Sequence, residues 1–185
     1  MRTFIAAGIT EPVRKEILKI QSALASLSLD AKWVEKENIH ITLKFLGEVA
    51  DKDIMGVISA VRDACAAEDS FYVHISSVGV FPDMKRPRVI WVGVSDGADE
   101  IRKLSGEIES SLVPLGFEKE RREFSPHLTI GRVRSLRNTE KLGEGIGKIA
   151  HTDCGRMILD EVLIMRSDLT GQGPVYSVLE RAGLR

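Results

Sequence analysis

The stretch HITLKFLGE, residues 40–48, opens with a His-x-Thr-x motif that returns as HLTI at residues 127–130. Polar and apolar residues alternate in both copies. Because successive side chains of a β-strand point to opposite faces, this alternation predicts two strands that each have one polar and one aliphatic face. The residues predicted on the polar faces are His40, Thr42, Lys44, His127 and Thr129. Each strand can therefore bury its aliphatic face and present an imidazole beside a hydroxyl to a shared cleft.

The rest of the chain alternates predicted helices with predicted strands. Apolar residues at helical spacing predict helices that begin after Thr10, at Asp51, before Ile101 and after Asn138. The third of these helices is expected to end at Gly116. Strands are predicted at residues 2–9, 32–35, 39–46, 71–81 and 89–94, around Lys119, at the second motif, and at residues 157–165 and 175–179. The last two strands would form a hairpin through residues 170–173.

The order of elements repeats along the chain. The motifs lie 87 positions apart (127 − 40), and the same offset relates Asp51 to Asn138, both predicted helix caps. We therefore expect a single bilobed α+β domain over residues 1–185, with pseudo-equivalent halves at roughly 1–95 and 96–185. Each lobe would carry an antiparallel-rich sheet with helices on its outer face, and the active-site cleft would lie between the sheets.

Composition limits the classes of partner and compartment. Of the 185 residues, 43% are hydrophobic and 29% are charged, which is ordinary globular composition. The net charge of -1 argues against a protein that covers nucleic acid with a broad basic face, so any nucleic acid would be held locally. No apolar run is long enough for a bilayer, and no secretion signal is evident. Cys65 and Cys154 lack CxxC spacing and are expected to be reduced thiols, so we predict a cytoplasmic protein. We also expect the protein to be a monomer.

Paired histidines suit reactions that move two protons. An imidazole titrates near pH 6.5, so one copy can accept a proton while the other donates one. In phosphoryl displacement the attacking and leaving oxygens are roughly in line across phosphorus, and histidines from opposite lobes can serve both. Thr42 and Thr129 would donate hydrogen bonds to the nonbridging oxygens as negative charge develops there. Each acid or base typically contributes ~10²–10⁴-fold in rate, which is enough for a reaction without a metal ion.

The same residues carry a resemblance to a known family. The chain resembles the two-histidine phosphoesterases, in particular the RNA 2',3'-cyclic phosphodiesterases, also called 2'-5' RNA ligase-like proteins. The shared stretches are residues 33–34, 40–48, 81–82, 87–93 and 124–132. The resemblance implies opening of a terminal 2',3'-cyclic phosphate of RNA, such as a transfer RNA fragment, to a 2'-phosphomonoester, without metal or other cofactor. It also implies some reverse 2'-5' ligation. In such proteins the histidine of the first motif is taken as the proton donor and that of the second as the proton acceptor, which are His40 and His127 in this chain.

Three cations are candidate substrate ligands. Lys44 shares the predicted polar face of the first motif. Arg132 fits the family's arginine shortly after the second motif, but strict alternation turns it away from the histidine. Either the strand bends at Gly131 or Arg132 approaches the phosphate from its rim. Arg88 belongs to a basic loop that either clamps an RNA backbone or is merely solvated.

Other interpretations of these residues remain open. A zinc site needs three or four ligands, and neither the cysteines nor a nearby carboxylate has ligand spacing with both motifs, so we predict no metal. His74 and His151 are predicted at the surface, and Trp33, Phe45 and Trp91 in the core. The same catalytic groups would also serve a phosphodiesterase for another cyclic phosphate or for 2'-5' oligonucleotides. A different class would be a noncatalytic module that binds RNA ends.

Overall fold

The computed structural model describes residues 1–171 and 173–185. The described residues form nine β-strands: β1 (Arg2–Ala7), β2 (Ala31–Trp33), β3 (Ile41–Glu48), β4 (Phe71–Phe81), β5 (Val89–Val94), β6 (His127–Val133), β7 (Asp153–Leu159), β8 (Glu161–Thr170) and β9 (Gly173–Gly183). Their four α-helices are α1 (Glu11–Ala25), α2 (Ile54–Ala66), α3 (Ala98–Leu112) and α4 (Thr139–Ile149), and short 3-10 helices lie at Lys36–Asn38, Asp51–Asp53 and Val113–Leu115. The predicted turn between the last two strands includes Gln172, which lies outside the described residues.

The strands form two antiparallel groups that meet at one pairing. Their order is β7-β4-β5-β6 in one group and β3-β1-β8-β9 in the other, and the short β2 also pairs with β6. The groups are joined only where Ile41 of β3 pairs with Leu128 of β6 among the described residues. The curled antiparallel arrangement confirms the predicted α+β fold with two related sheets.

Helices cover each group of strands through apolar stripes. The helices α1 and α4 pack against strands of the β7-β4-β5-β6 group, and α2 and α3 pack against strands of the other group. In α3 the buried stripe consists of Ile101, Leu104, Ile108 and Leu112, at the spacing that places side chains on one face of a helix. Both cysteines are free and buried, and burial raises the pKa of Cys65 to about 12. Among the described helices, none has the length and apolarity that a membrane span requires.

The pseudo-repeat extends well beyond the motifs. Adding 87 to the bounds of β1 gives those of β5, and adding 87 to the bounds of α1 gives those of α3. Each group of strands takes two members from residues 1–95 and two from residues 96–185. The two predicted halves are therefore interleaved in the sheet, and neither half contains a complete group of four strands.

Three local predictions of secondary structure differ from the structure. No strand forms around Lys119, because the consecutive charged residues 118–123 replace the counterpart of β2. The helix α2 begins at Ile54 after a 3-10 turn, so Asp51 is not its N-cap. The strand predicted at residues 157–165 is interrupted at Asp160, and its two parts, β7 and β8, pair with β4 and β1 respectively.

Candidate functional site

Both motif histidines are held in the same way. The Nδ1 atom of His40 lies 2.7 Å from the backbone oxygen of Asn38, and that of His127 lies 2.7 Å from the backbone oxygen of Ser125. A carbonyl oxygen can only accept, so Nδ1 donates in each ring and Nε2 is left as the reacting atom. The Nε2 atom of His40 lies 2.9 Å from Thr42 Oγ1. In both motifs the carbonyl two residues upstream thus selects the tautomer that acid-base chemistry at Nε2 requires.

The two motifs lie next to each other where β3 of one strand group pairs with β6 of the other. Ile41 pairs with Leu128 in antiparallel register. Residues that flank such a pair lie opposite each other and share the other face of the sheet, which sets His40 beside Thr129 and Thr42 beside His127. Directly opposed side chains have Cβ atoms about 4.5–5.5 Å apart. The structure therefore brings the four predicted polar residues together on one face.

A β-bulge follows each motif. Between β1 and β3, Ala6 pairs with Thr42 and the preceding residue, Ile5, pairs with Lys44. Leu43 is therefore an extra residue in β3 without a partner in β1. In the β5–β6 ladder the register likewise shifts past Ile130, which lies 87 positions after Leu43. An extra residue in one strand reverses the alternation of faces beyond it. The side chains that follow each bulge therefore lie on the face opposite to the one that strict alternation predicts.

The first bulge corrects two predictions. Lys44 is not on the face of His40: it is 4% exposed, and its Nζ lies 2.6 Å from Glu109 Oε1 and 2.8 Å from the backbone oxygen of Glu118. Phe45 is not in the core: it is 62% exposed and lines the cleft. We therefore remove Lys44 from the candidate site and add Phe45. Nothing in the local sequence marks the bulge, because it is defined by the register against β1.

The second bulge explains how Arg132 reaches the cleft. Arg132 is exposed and lines the same cavity as His40 and Thr129. Gly131 occupies the buried position that corresponds to Lys44, and a Cβ there would lie 3.0 Å from the ring of Trp33. The glycine therefore lets Trp33 pack closely over β6.

Arg88 is exposed and does not line this cavity. Its backbone oxygen accepts from Val133 N–H, and its own N–H donates to Phe81 oxygen. The structure thus gives Arg88 a role in closing the loop between β4 and β5, and it does not bring the residue to the motifs. Trp91 packs on Phe81 at a ring distance of 5.2 Å, as expected for a packing residue.

The two histidines have different surroundings. The ring of His40 lies 5.1 Å from that of Phe4 and 5.6 Å from that of Tyr176. Burial lowers the pKa of His40, although the hydrogen bond to the Asn38 carbonyl acts in the opposite direction. His127 is half-buried and contacts the ring of Phe81 edge-on at 5.0 Å. No sequence pattern predicted the aromatic wall that Phe4 and Tyr176 form around His40, since these residues come from β1 and β9.

A cavity of about 880 Å³ extends from the motifs along the β2 and β9 side. His40, Thr42 and Thr129 line it, whereas His127 lies outside its lining. The aromatic and cationic side chains that line it include Arg2, Lys32, Trp33, Phe45, Arg132 and Tyr176.

The remaining histidines lie away from this cavity. His74 bridges strands, with Nε2 2.8 Å from Asp153 Oδ1 and Nδ1 3.1 Å from Ser95 Oγ. The hydrogen bond from His74 lowers the pKa of Asp153. His151 is exposed. In the described part of the chain, no group of three or more His, Cys, Asp and Glu residues has the geometry of a metal site.

Comparison with known proteins agrees with this fold. A family model described as LigT like Phosphoesterase matches residues 8–91 and again residues 92–176. The chain therefore belongs to the LigT-like phosphoesterase family, which confirms the resemblance to two-histidine phosphoesterases.

Relatives match over nearly their whole length. The RNA 2',3'-cyclic phosphodiesterase of Methanothermobacter thermautotrophicus is 37% identical over 180 residues, which are 97% of this chain and 97% of that protein. The protein of the same name from Thermotoga maritima is also 37% identical over 180 residues, 97% of this chain and 93% of its own. The crystal structure of a Thermus thermophilus protein has a TM-score of 0.83 at 25% identity and covers 100% of this chain and 98% of its own. E. coli LigT complexed with 3'-AMP shares the fold, with a TM-score of 0.77 at 20% identity over 99% and 97% of the two chains.

Proposed function

We propose that this protein is an RNA 2',3'-cyclic phosphodiesterase that opens the cyclic end to a 2'-phosphomonoester by histidine acid-base catalysis. The observation that carries the proposal is the pairing of Ile41 with Leu128, which sets the polar residues of both motifs side by side. Relatives that match nearly the whole chain carry the same name. The geometry and the comparisons support the proposal independently.

In the proposed reaction, the Nε2 atoms of the two motif histidines act as base and acid at the same phosphorus atom. His127 takes a proton from water, and the hydroxide attacks phosphorus opposite the 3' oxygen. The bond from phosphorus to the 3' oxygen breaks, and His40 donates its Nε2 proton to that oxygen. The phosphate stays on the 2' oxygen. Thr42 and Thr129 donate hydrogen bonds to the nonbridging oxygens, where negative charge concentrates in the transition state.

The protonation state of His40 depends on the substrate in this proposal. Burial lowers its pKa, so the free protein favours the neutral ring. An anionic phosphodiester beside the imidazole favours the charged form and raises the pKa again. The donor form of His40 is therefore reached in the complex with substrate.

The cleft also fits an unpaired RNA end. Trp33 and Phe45 both line the cavity, and unpaired bases stack on aromatic side chains. Arg132 adds a guanidinium on the same face, which suits a phosphate oxygen through charge-assisted hydrogen bonds. These contacts are local, in keeping with a chain whose net charge is -1.

The same groups would serve the reverse reaction. A 5' hydroxyl can replace water as the nucleophile, in which case His127 deprotonates it and a 2'-5' linkage forms as the 3' oxygen leaves. Water is present at far higher concentration than RNA 5' ends, so we propose hydrolysis as the main reaction and ligation as a side reaction.

The test uses a short RNA with a 2',3'-cyclic phosphate, in the presence of a chelator. Wild-type protein should open it, and chromatography against 2'- and 3'-phosphate standards should show the 2' product alone. His40→Ala and His127→Ala should each lower kcat by ~10²–10⁴-fold, the range of a general acid or base. His151→Ala is the matched control, since this histidine is exposed and does not line the cleft, and it should retain full activity.

Two outcomes would contradict the proposal. Undiminished turnover in either motif variant would exclude the histidine mechanism. Tight binding of the cyclic end by wild-type protein without any turnover would instead indicate the noncatalytic RNA-end binding module.

A further inference from the structure

Two arginines in the cavity lack a carboxylate partner. Arg2 is the first residue of β1, Arg132 lies on β6, and both are exposed and line the same cavity. Within the described residues, neither guanidinium takes part in an ion pair. A guanidinium offers a fork of N–H donors that matches a phosphate, so two guanidiniums that line one concave site favour an anionic ligand.

A tyrosine hydroxyl lies in the field of both arginines. Burial raises the pKa of Tyr176, whereas the charges of Arg132 and Arg2 act to lower it. Among the described residues the Tyr176 hydroxyl has no hydrogen-bond partner. The ring itself packs edge-on against His40 at 5.6 Å. One hydroxyl donor and two guanidiniums, from three different strands, therefore line the same cavity as the first histidine.

This region is displaced from the reacting phosphorus. Arg2 and Phe4 are two residues apart on β1 and so lie on the same face of the strand, and Phe4 contacts His40 at 5.1 Å. Two residues of a strand span about 7 Å, so the backbone of Arg2 lies about 7 Å further along β1 than that of Phe4. The cavity volume of about 880 Å³ is near the top of the range of about 300–1,000 Å³ for small-molecule sites, which leaves room beyond a single phosphate.

The other charged groups of the cavity lie on a different segment. Glu35 and Glu37 belong to the chain between β2 and β3, and Glu37 lies 3.5 Å from the Nζ atom of Lys36. Lys32 also lines the cavity and makes contacts of its own. The two carboxylates thus do not neutralise Arg2 or Arg132.

We propose that Arg2, Arg132 and Tyr176 form a second phosphate subsite, which binds the phosphodiester on the 5' side of the terminal nucleotide. The inference rests on the proposed function and specifies its substrate as an oligonucleotide rather than a nucleoside cyclic phosphate. Both guanidiniums and the hydroxyl donate to nonbridging oxygens of this phosphodiester, while the cyclic phosphate occupies the site between the motifs. No bond is made or broken at the second subsite.

The experiment compares two dinucleotides that end in a 2',3'-cyclic phosphate. One has an ordinary internal phosphodiester, and the other has an uncharged methylphosphonate at the same linkage, with both stereoisomers tested. Wild-type protein should show about tenfold higher kcat/KM for the charged dinucleotide, the size of a charge-assisted hydrogen bond. The salt dependence of log(1/KM) should be steeper for the charged dinucleotide by about 0.7 for each phosphate contact, as for single strands.

Substitutions at the second subsite test which residues cause the preference for the charged dinucleotide. Arg2→Gln and Tyr176→Phe should each reduce the ratio between the charged and uncharged dinucleotides, the arginine variant to about two. Arg181→Gln is the matched control, since Arg181 lies on the same strand as Tyr176 but pairs with Glu161, and it should leave the ratio at the wild-type value. Equal ratios in wild type and Arg2→Gln would overturn the proposal.

Binding measurements test the second subsite separately from the phosphodiesterase activity. The corresponding dinucleotide 2'-phosphates can be titrated by fluorescence anisotropy without any turnover. A charge preference in binding, together with absent turnover, would refute the phosphodiesterase proposal and support the second subsite. Turnover of a nucleoside 2',3'-cyclic phosphate, together with equal kcat/KM for both dinucleotides, would support the enzyme and refute the second subsite.

Discussion

Replacement of Lys44 by methionine tests the bulge that reverses the face of β3. The lysine side chain is 3% exposed and that of its partner Glu109 is 15% exposed, with 2.6 Å between Nζ and Oε1. Lys44→Met keeps the length of the side chain but leaves the Glu109 carboxylate without its cation, and the Glu118 carbonyl loses a donor. Breaking one side of a buried pair costs about 3–5 kcal/mol. Because the Glu120 N–H still donates to Glu109, we expect the lower end, about 3 kcal/mol.

The assay is thermal or urea unfolding, together with turnover at a temperature where every variant is folded. For a chain of 185 residues, about 3 kcal/mol corresponds to a fall in Tm of about 6–12 °C. The matched control is Lys103→Met, whose ion pair with Glu68 has a similar distance of 2.7 Å but a lysine that is 64% exposed. Exposed pairs contribute about 0–1 kcal/mol, so the control should lose little stability.

A double variant and the kinetics complete this test. Lys44→Met combined with Glu109→Leu removes the unpaired buried carboxylate and should recover part of the lost stability, because a hydrophobic pair can replace a buried ion pair, although the Glu118 carbonyl and the Glu120 N–H stay without these partners. The kcat of folded Lys44→Met should stay within a few-fold of wild type. Retained stability with a loss of turnover of 100-fold or more would mean that Lys44 faces the phosphate, and it would refute the bulge argument.

Three further predictions concern the cleft. Phe45→Ala should raise KM by about 5- to 100-fold, the value of one stacked base, and should leave the Tm nearly unchanged because the ring is 62% exposed. Gly131→Ala places a Cβ 3.0 Å from the ring of Trp33 and should destabilise the protein by about 1–3 kcal/mol with a change in tryptophan fluorescence, whereas Gly106→Ala, where nothing lies within 4 Å, should not. The pKa of His40 is lowered in the folded protein, so the folded state binds fewer protons than the unfolded state as pH falls below the ordinary histidine value. The free energy of unfolding should therefore decrease from pH 7 toward pH 5 by an increment that His40→Gln removes, and an identical pH dependence in the two proteins would contradict the burial argument.

Local patterns predicted most of the secondary structure. The strands β4 and β5 have the bounds that alternation and turn residues predicted, and the offset of 87 found between the motifs also relates α1 to α3 in the structure. These features depend on short-range periodicity, which the sequence displays directly. The predicted strand around Lys119 failed because pairing requires a partner, and a run of six charged residues is a poor candidate for burial in a sheet. The cytoplasmic location and the monomeric state stay predictions.

The motifs could be predicted, but the faces of the side chains that follow them could not. The polar faces of His40 and His127 follow from alternation within four residues. The faces of Phe45 and Arg132 depend on bulges that exist only in the register with neighbouring strands. The contact of Tyr176 with His40 joins residues more than a hundred positions apart, and no periodicity reports such a contact.

The paired bulges make an asymmetric cleft from a nearly symmetric scaffold. Phe45 and Arg132 occupy equivalent positions five residues after each histidine, and both line the cavity. One side therefore offers an aromatic face suited to a base, and the other offers a cation suited to a phosphate. A nucleotide has a base at one end and a phosphate at the other, so these two residues favour one orientation of RNA over its reverse. Since the orientation decides which histidine faces the 3' oxygen, exchange of the two residues, Phe45→Arg with Arg132→Phe, should impair turnover more than it impairs folding. Full turnover in the exchanged variant, measured on the same cyclic-phosphate RNA, would show that the orientation is set elsewhere in the cleft.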